Sequence, residues 1–215
     1  MDKLFISVEL KSPALIGSGE GWGTLIDSDV VYDKWGLPSI PARRLKGLLR
    51  ESALEVIEML SGSGTNPFET ETFKRLFGEA AVPGTAIFCN LQLAEYDEVM
   101  PWLNWAFYKC GDLVSTETVI DCLTEIRQQT AIDEDGKAKD SSLRTVRLLR
   151  KGLRFIGPIY GEVNGLEREL LALACANLRR IGGTRNRGFG EVSCKLVTSN
   201  QDYFASAIQR IKEDA

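Results

Sequence analysis

The chain has 215 residues, 44% hydrophobic and 26% charged, with a formal net charge of −4, which fits one globular domain able to bury a core without staples. It has no histidine, which excludes Ser-His-Asp and Cys-His nucleophiles, histidine metal sites and histidine acid–base chemistry. Five cysteines without a C-x-x-C pair, no apolar run of membrane-spanning length and no signal-peptide pattern predict reduced thiols in a cytoplasmic protein.

In chain order, "KLFISVEL" (residues 3–10) alternates at period two and predicts a strand. The loop after it carries Gly17, Gly19, Gly21 and Gly23. It approximates a dinucleotide fingerprint, but no helix opens there. "SDVVYD" predicts a short strand. "PARRLKGLLRESALEVIEML" predicts a helix with Leu45, Leu48, Leu49, Ala53, Val56 and Leu60 as its apolar stripe. "ETFKRLFG" is a short helix closed by Gly78. "GTAIFCNLQLAEY" is a strand, and residues 97–128 are helical with breaks.

"TAIDEDGKAKDSSL" centres on Asp135-Gly136, a hairpin turn signal. "KGLRFIGPIYGEV" puts Leu153, Phe155, Ile159 and Val163 on one strand face. Asn164 and Glu167 form a capping box for "LERELLALACANLRRI", which Gly182-Gly183 would end. "GEVSCKLVTS" is the last strand and "QDYFASAIQRIK" an amphipathic helix. The order predicts an α+β, ferredoxin-like (RRM-like) β-α-β-β-α-β domain spanning residues 1–215. It carries a helical insertion at about 95–128 and a protruding hairpin at about 130–150.

The acidic total hides segregated charge. "PARRLKGLLR" carries Arg43, Arg44, Lys46 and Arg50 without an acid, and "LRTVRLLRKGLRF" carries Arg144, Arg147, Arg150, Lys151 and Arg154. "RRIGGTRNRGFGEV" adds Arg179, Arg180, Arg185 and Arg187 among four glycines. Each cluster alone fits a solvated face. Three together, with glycines that let a backbone come close, suit a polyanionic backbone. A Walker loop is excluded because the G-K-[ST] ending is missing. Asp133, Asp135 and Asp140 read as turn residues rather than a calcium loop. Trp102, Trp105, Phe107 and Tyr108 offer stacking surfaces for bases, but their helical density reads as core.

"IGGTRNRGFGEV" resembles the glycine-rich loop of the repeat-associated mysterious protein (RAMP) superfamily of CRISPR-associated proteins. "IDSDVVYDKWGLPSIPARRLKGLLR" resembles the N-terminal signature of backbone subunits in type III effector complexes, although Ser28-Asp29 departs from the usual pattern. "TAIDEDGKAKDSSLRTVRLLRKGLRFIGPI" is similar to the family's thumb and the strand after it. These anchors cover about half the chain, in the family's order, and residues 51–125 carry no matching motif.

The resemblance implies RNA-guided RNA recognition, with guide RNA, target RNA and other effector subunits as partners and no membrane. It implies backbone contacts from Arg43, Arg44, Lys46, Arg50, Gly183, Arg185 and Arg187, and Arg144 and Arg147 join them from the middle cluster. It also implies cleavage by one aspartate with Mg²⁺ or Mn²⁺, and the matching position is Asp27, as catalytic residue and metal ligand. Asp29 and Asp33 are rival candidates. The alternatives are a non-catalytic RAMP subunit that binds guide or caps the filament, a standalone guide-processing nuclease (disfavoured by the missing histidines), and a nucleotide- or protein-binding domain outside the family.

Overall fold

The computed structural model describes residues 3–17, 26–130, 133, 135–137, 142–198 and 202–213. Gly19, Gly21, Gly23, Asp140 and part of the hairpin tip lie outside the described residues. The central sheet is antiparallel, built from β1 (Leu4–Leu10), β4 (Ile87–Phe88), β5 (Gln92–Leu93), β8 (Arg154–Tyr160) and β9 (Val192–Val197). Its order is β4-β8-β1-β9, with β5 also on β8. This is the order of the ferredoxin-like plan, with the second strand broken in two.

The break has a local cause. Ile87 pairs with Tyr160 and Gln92 with Ile156, so the β4–β5 side carries one extra residue and bulges. Leu91 exchanges backbone bonds with Ile40 at 2.9 Å in each direction. The Asn90 side chain accepts from the Ala42 amide at 2.8 Å. That amide opens α1 (Ala42–Ser63), whose N-cap, Pro41, has no capping side chain.

One face of the sheet is covered by α1 and α5 (Gly165–Asn177), and one connected core joins Ile6, Val8, Leu45, Leu49, Phe155, Leu170 and Leu171. The alternating burial of β1 follows from this one-sided cover. α2 (Thr70–Phe77) ends at Gly78 as predicted, and a two-residue hairpin, β2 (Gly78–Glu79) and β3 (Val82–Pro83), follows. The capping box of α5 is present, with Asn164 accepting from Glu167 and Glu167 from the Asn164 amide, both at 2.8 Å. α6 (Tyr203–Glu213) packs on α5, with Arg210 bonded to Glu169 at 2.7 Å. No helix among the described residues is long and apolar enough to cross a membrane. All five cysteines are free. The Cys175 thiol is pushed well up by its hydrogen bond with Cys194 and by burial.

Several expectations are corrected. Residues 28–33 do not form a regular strand, because each bonds in a different direction: Ser28 to Val146, Val30 to Gly17 and Tyr32 to Pro38. The insertion holds two helices, α3 (Tyr96–Lys109) and α4 (Thr116–Leu123). Residues 124–128, expected to be helical, belong instead to β6 (Thr124–Gln129). β6 pairs with β7 (Arg144–Leu149) as a two-stranded ribbon separate from the main sheet. α5 stops at Asn177, before Gly182-Gly183. Beyond buried Leu178 the chain turns extended and pairs back, with Val192 donating to Arg179 and Ile181 to Gly190. Trp102, Trp105 and Tyr108 are exposed rather than core, and α3 buries Leu103 and Ala106 instead.

Candidate nucleic-acid interface

The glycine loop is the tip of a short ribbon, residues 179–181 against 190–192. At its base Gly190 has φ 73°, and an added Cβ would fall 1.9 Å from the Ile181 carbonyl. Gly182, at φ 84°, lies against the Leu15 carbonyl, which would be 2.4 Å from an added Cβ. Thr184 adopts φ 51°, a conformation costly for a β-branched residue. A one-turn 3₁₀ helix, Arg185–Arg187, follows it.

Residues 11–17 run between this loop and the β6–β7 ribbon. Ala14 bridges to Leu149 on one side, and Leu15 to Gly183 on the other. The Gly190 amide donates to the Pro13 carbonyl at 2.8 Å. Arg127 on β6 lies over the Phe189 ring, 5.5 Å from its centroid. The ribbon base, this crossing segment and the glycine loop therefore share one seam.

Beside that seam is a cleft of about 460 Å³, lined by Leu15, Gly17, Asp27, Ser28, Asp29, Arg44, Leu48, Gly182, Gly183 and Arg185. Four separate stretches of sequence meet there. Asp27 is exposed and its carboxylate accepts from the Thr145 amide at 2.7 Å, while its own amide donates to the Thr145 carbonyl at 2.9 Å. Arg44 donates to the Gly17 carbonyl at 2.8 Å. A guanidinium of Arg180 holds the Arg185 carbonyl.

The rival acids have other duties. Asp29 is 3% exposed; it caps its neighbour's amide (Val30, 2.7 Å) and pairs with Arg147 at 3.2 Å. Asp33 organises a turn by accepting from the Trp35 and Leu37 amides, and it takes the Tyr96 hydroxyl at 2.8 Å. Burial and then this bond raise the Tyr96 phenol above its ordinary value. Among the three acids only Asp27 presents an exposed carboxylate to the cleft.

The basic residues divide as well. Arg43, Arg185 and Arg187 are exposed, as is Arg144 at the outer end of β7. Lys46 lies about 160° round the helix from Arg44. Arg50 rests over the Phe73 ring at 5.2 Å. Arg147 pairs through its terminal nitrogens with Asp29 and, at 3.8 Å, Asp121, while its buried Nε has no hydrogen-bond partner. The Gly183 amide is bonded to Leu15 at 2.8 Å, so that residue offers close approach rather than a free donor. Leu15, Gly17 and Leu48 carry no chemical signature, and sequence reasoning missed them as cleft walls.

In the hairpin, Asp133 accepts from the Asp135 and Lys137 amides at 3.1 and 2.8 Å, and Gly136 sits at φ 77°. That is the turn role expected of this stretch. Among the described residues no group of three or more acids, histidines or cysteines could hold a metal ion. Asp27 alone fits the manner in which Mg²⁺ is held by one carboxylate together with substrate phosphates and water. It does not build an all-protein cage.

The RAMP superfamily profile matches residues 7–193, and the chain belongs to that superfamily. No curated protein sequence matches it. Its fold is similar to a chain of the type III-B Cmr-beta structure bound to cognate target RNA. The TM-score is 0.64 at 13% identity, covering 100% of this chain and 99% of that one. A chain of the apo Cmr-beta structure gives 0.63 at 14% identity, covering 95% and 99%.

Proposed function

We propose that this protein is a subunit of a type III CRISPR effector, that it holds the backbone of guide RNA along the cleft and glycine loop, and that Asp27 serves cleavage of complementary target RNA. The observation carrying this reading is the convergence of Asp27, Arg44, Gly182–Gly183 and Arg185 on one open cleft. The arginines would neutralise phosphates and orient them bidentately. The glycines let the strand approach the loop backbone. Asp27 would orient an attacking 2′-hydroxyl or hold Mg²⁺ or Mn²⁺, and the ion's chemistry would be to stabilise charge developing on the phosphate. The thumb and its partners follow the superfamily resemblance.

A second reading, a non-catalytic subunit of the same kind of complex, draws on the Thr145 bond. It gives the Asp27 carboxylate a structural task of its own.

One experiment separates the two. The protein is reconstituted with guide RNA and its effector partners and assayed on labelled complementary RNA with Mg²⁺ or EDTA. Asp27→Asn keeps the acceptor for the Thr145 amide and removes the charge. Cleavage by the wild type that stops in EDTA and in Asp27→Asn, with RNA affinity and Tm unchanged, is expected. Cleavage by Asp27→Asn at the wild-type rate overturns the assignment, and no cleavage by the wild type favours the second reading.

A further inference from the structure

The helical insertion has a surface that neither the core nor the cleft uses. α3 buries Leu103 and Ala106, yet Trp102, Trp105, Tyr108 and, just beyond the helix, Leu113 are each more than half exposed. The three aromatic positions lie about 60° apart around the helix axis. Their stripe therefore runs from Trp102 round to the side of α3 opposite its buried residues. Beside Trp102 opens an apolar groove of about 760 Å³, walled by Val99 and Leu103 of α3, Leu113 and Val114 of the turn, and Leu123 of α4. It shares no lining residue with the cleft. Single exposed apolar side chains are ordinary, but a contiguous aromatic patch that runs into a groove marks an interaction site.

The charge around the patch selects its occupant. Residues 95–125 hold seven acids against one base, Lys109. Three of the acids are paired, Glu95 with Arg154, Asp121 with Arg147 and Glu125 with Arg127. That leaves Asp97, Glu98, Asp112 and Glu117 without an ion pair among the described residues. Aromatic faces can stack bases, but these carboxylates repel phosphates. The complement of an acidic, aromatic surface beside an interhelical groove is a basic helix with one apolar face.

We propose that this face of the insertion is a docking surface for a protein partner and takes a basic amphipathic helix. The helix sets its apolar side chains in the groove and against Trp105 and Tyr108, and its lysines or arginines over Asp97, Glu98, Asp112 and Glu117. Trp102 and Leu113, at the mouth of the groove, are the anchors. The surface does not depend on the RNA-binding reading, because it lies apart from the cleft and its charge opposes a polyanion.

The test titrates the full chain into a fluorescently labelled amphipathic helical peptide of leucine and lysine, and into its leucine–glutamate counterpart, and follows anisotropy. The variants are Trp102→Ala with Leu113→Ala, Glu98→Lys with Asp112→Lys, and Val82→Ala as an exposed apolar control on the β2–β3 hairpin. The lysine peptide should bind at least about tenfold tighter than the glutamate peptide. Each double variant should lose about tenfold in affinity for it, with Tm unchanged because the altered side chains are exposed. Val82→Ala should bind it as wild type does, and RNA affinity should be the same in wild type and Trp102→Ala with Leu113→Ala. No binding of the lysine peptide, equal binding of both peptides, or wild-type affinity in both double variants overturns the proposal. Weaker RNA binding by the Trp102→Ala, Leu113→Ala variant shows that the patch stacks bases, and this overturns it too. So does a wild type that sediments as a dimer while that variant sediments as a monomer, since a second copy then covers the face.

Discussion

Arg144 and Arg147 stand three residues apart in one acid-free run, and their sequence context does not tell them apart. The structure separates them: Arg144 is exposed at the end of β7, while the Arg147 side chain is 11% exposed and faces Asp29. Removing one member of an enclosed ion pair leaves the other desolvated without its counter-charge. Arg147→Ala is expected to cost about 3 kcal/mol in chemical denaturation. Arg144→Ala should leave stability unchanged and reduce only RNA affinity. Equal stability of the two variants would show that the Asp29 contact contributes little. The positive charge of the middle cluster was legible in the sequence. Its division was not, because Asp29 lies 118 positions from Arg147 and only the fold brings the two together. The same holds for the acids. Only the family resemblance set Asp27 apart from its rivals in the sequence; in the structure burial takes Asp29 and a turn takes Asp33.

Local signals carried the elements whose ends are decided locally. The α5 start was legible because Asn164 and Glu167 are three apart. The Gly78 stop of α2 and the Asp135-Gly136 turn were legible for the same reason. The α5 end was misread because Leu178 is drawn into the core and residues 179–181 pair across the ribbon, a tertiary effect that overrides helix propensity. Within that ribbon the glycines are not equivalent. Gly190→Ala would drive a methyl group into the Ile181 carbonyl at a left-handed φ, whereas a Cβ at Gly183 meets the Leu15 side chain at an ordinary 3.4 Å. Gly190→Ala is therefore expected to lower Tm and dissolve the loop. Gly183→Ala should leave Tm nearly unchanged and show its effect in RNA affinity. Identical melting of the two would contradict the close approach described at Gly190.

At the scale of the whole molecule, the mixed α+β plan with an antiparallel sheet was legible from alternation and helical periodicity, although the split of the second strand was not. The cleft was only half legible. Its charged members announced themselves, while the crossing segment 11–17 that assembles it has no pattern of its own. A net charge of −4 opposes polyanion binding at long range, so binding must depend on the local basic clusters and on counterion release. RNA affinity is expected to fall steeply with salt, with a log–log slope of about −0.7 for each phosphate neutralised on a single strand. Binding indifferent to salt would rule out a phosphate-led interface.

The reciprocal pair between Asp27 and Thr145 has a mechanical side. Thr145 belongs to the ribbon that stands apart from the main sheet, and Ser28 and Asp29 are fastened to Arg147 of the same strand. The exposed carboxylate is thus mounted near the ribbon's outer end, one residue from Arg144. A force that tilts the ribbon's outer end moves Asp27 with it, so the carboxylate's alignment records how the ribbon is seated.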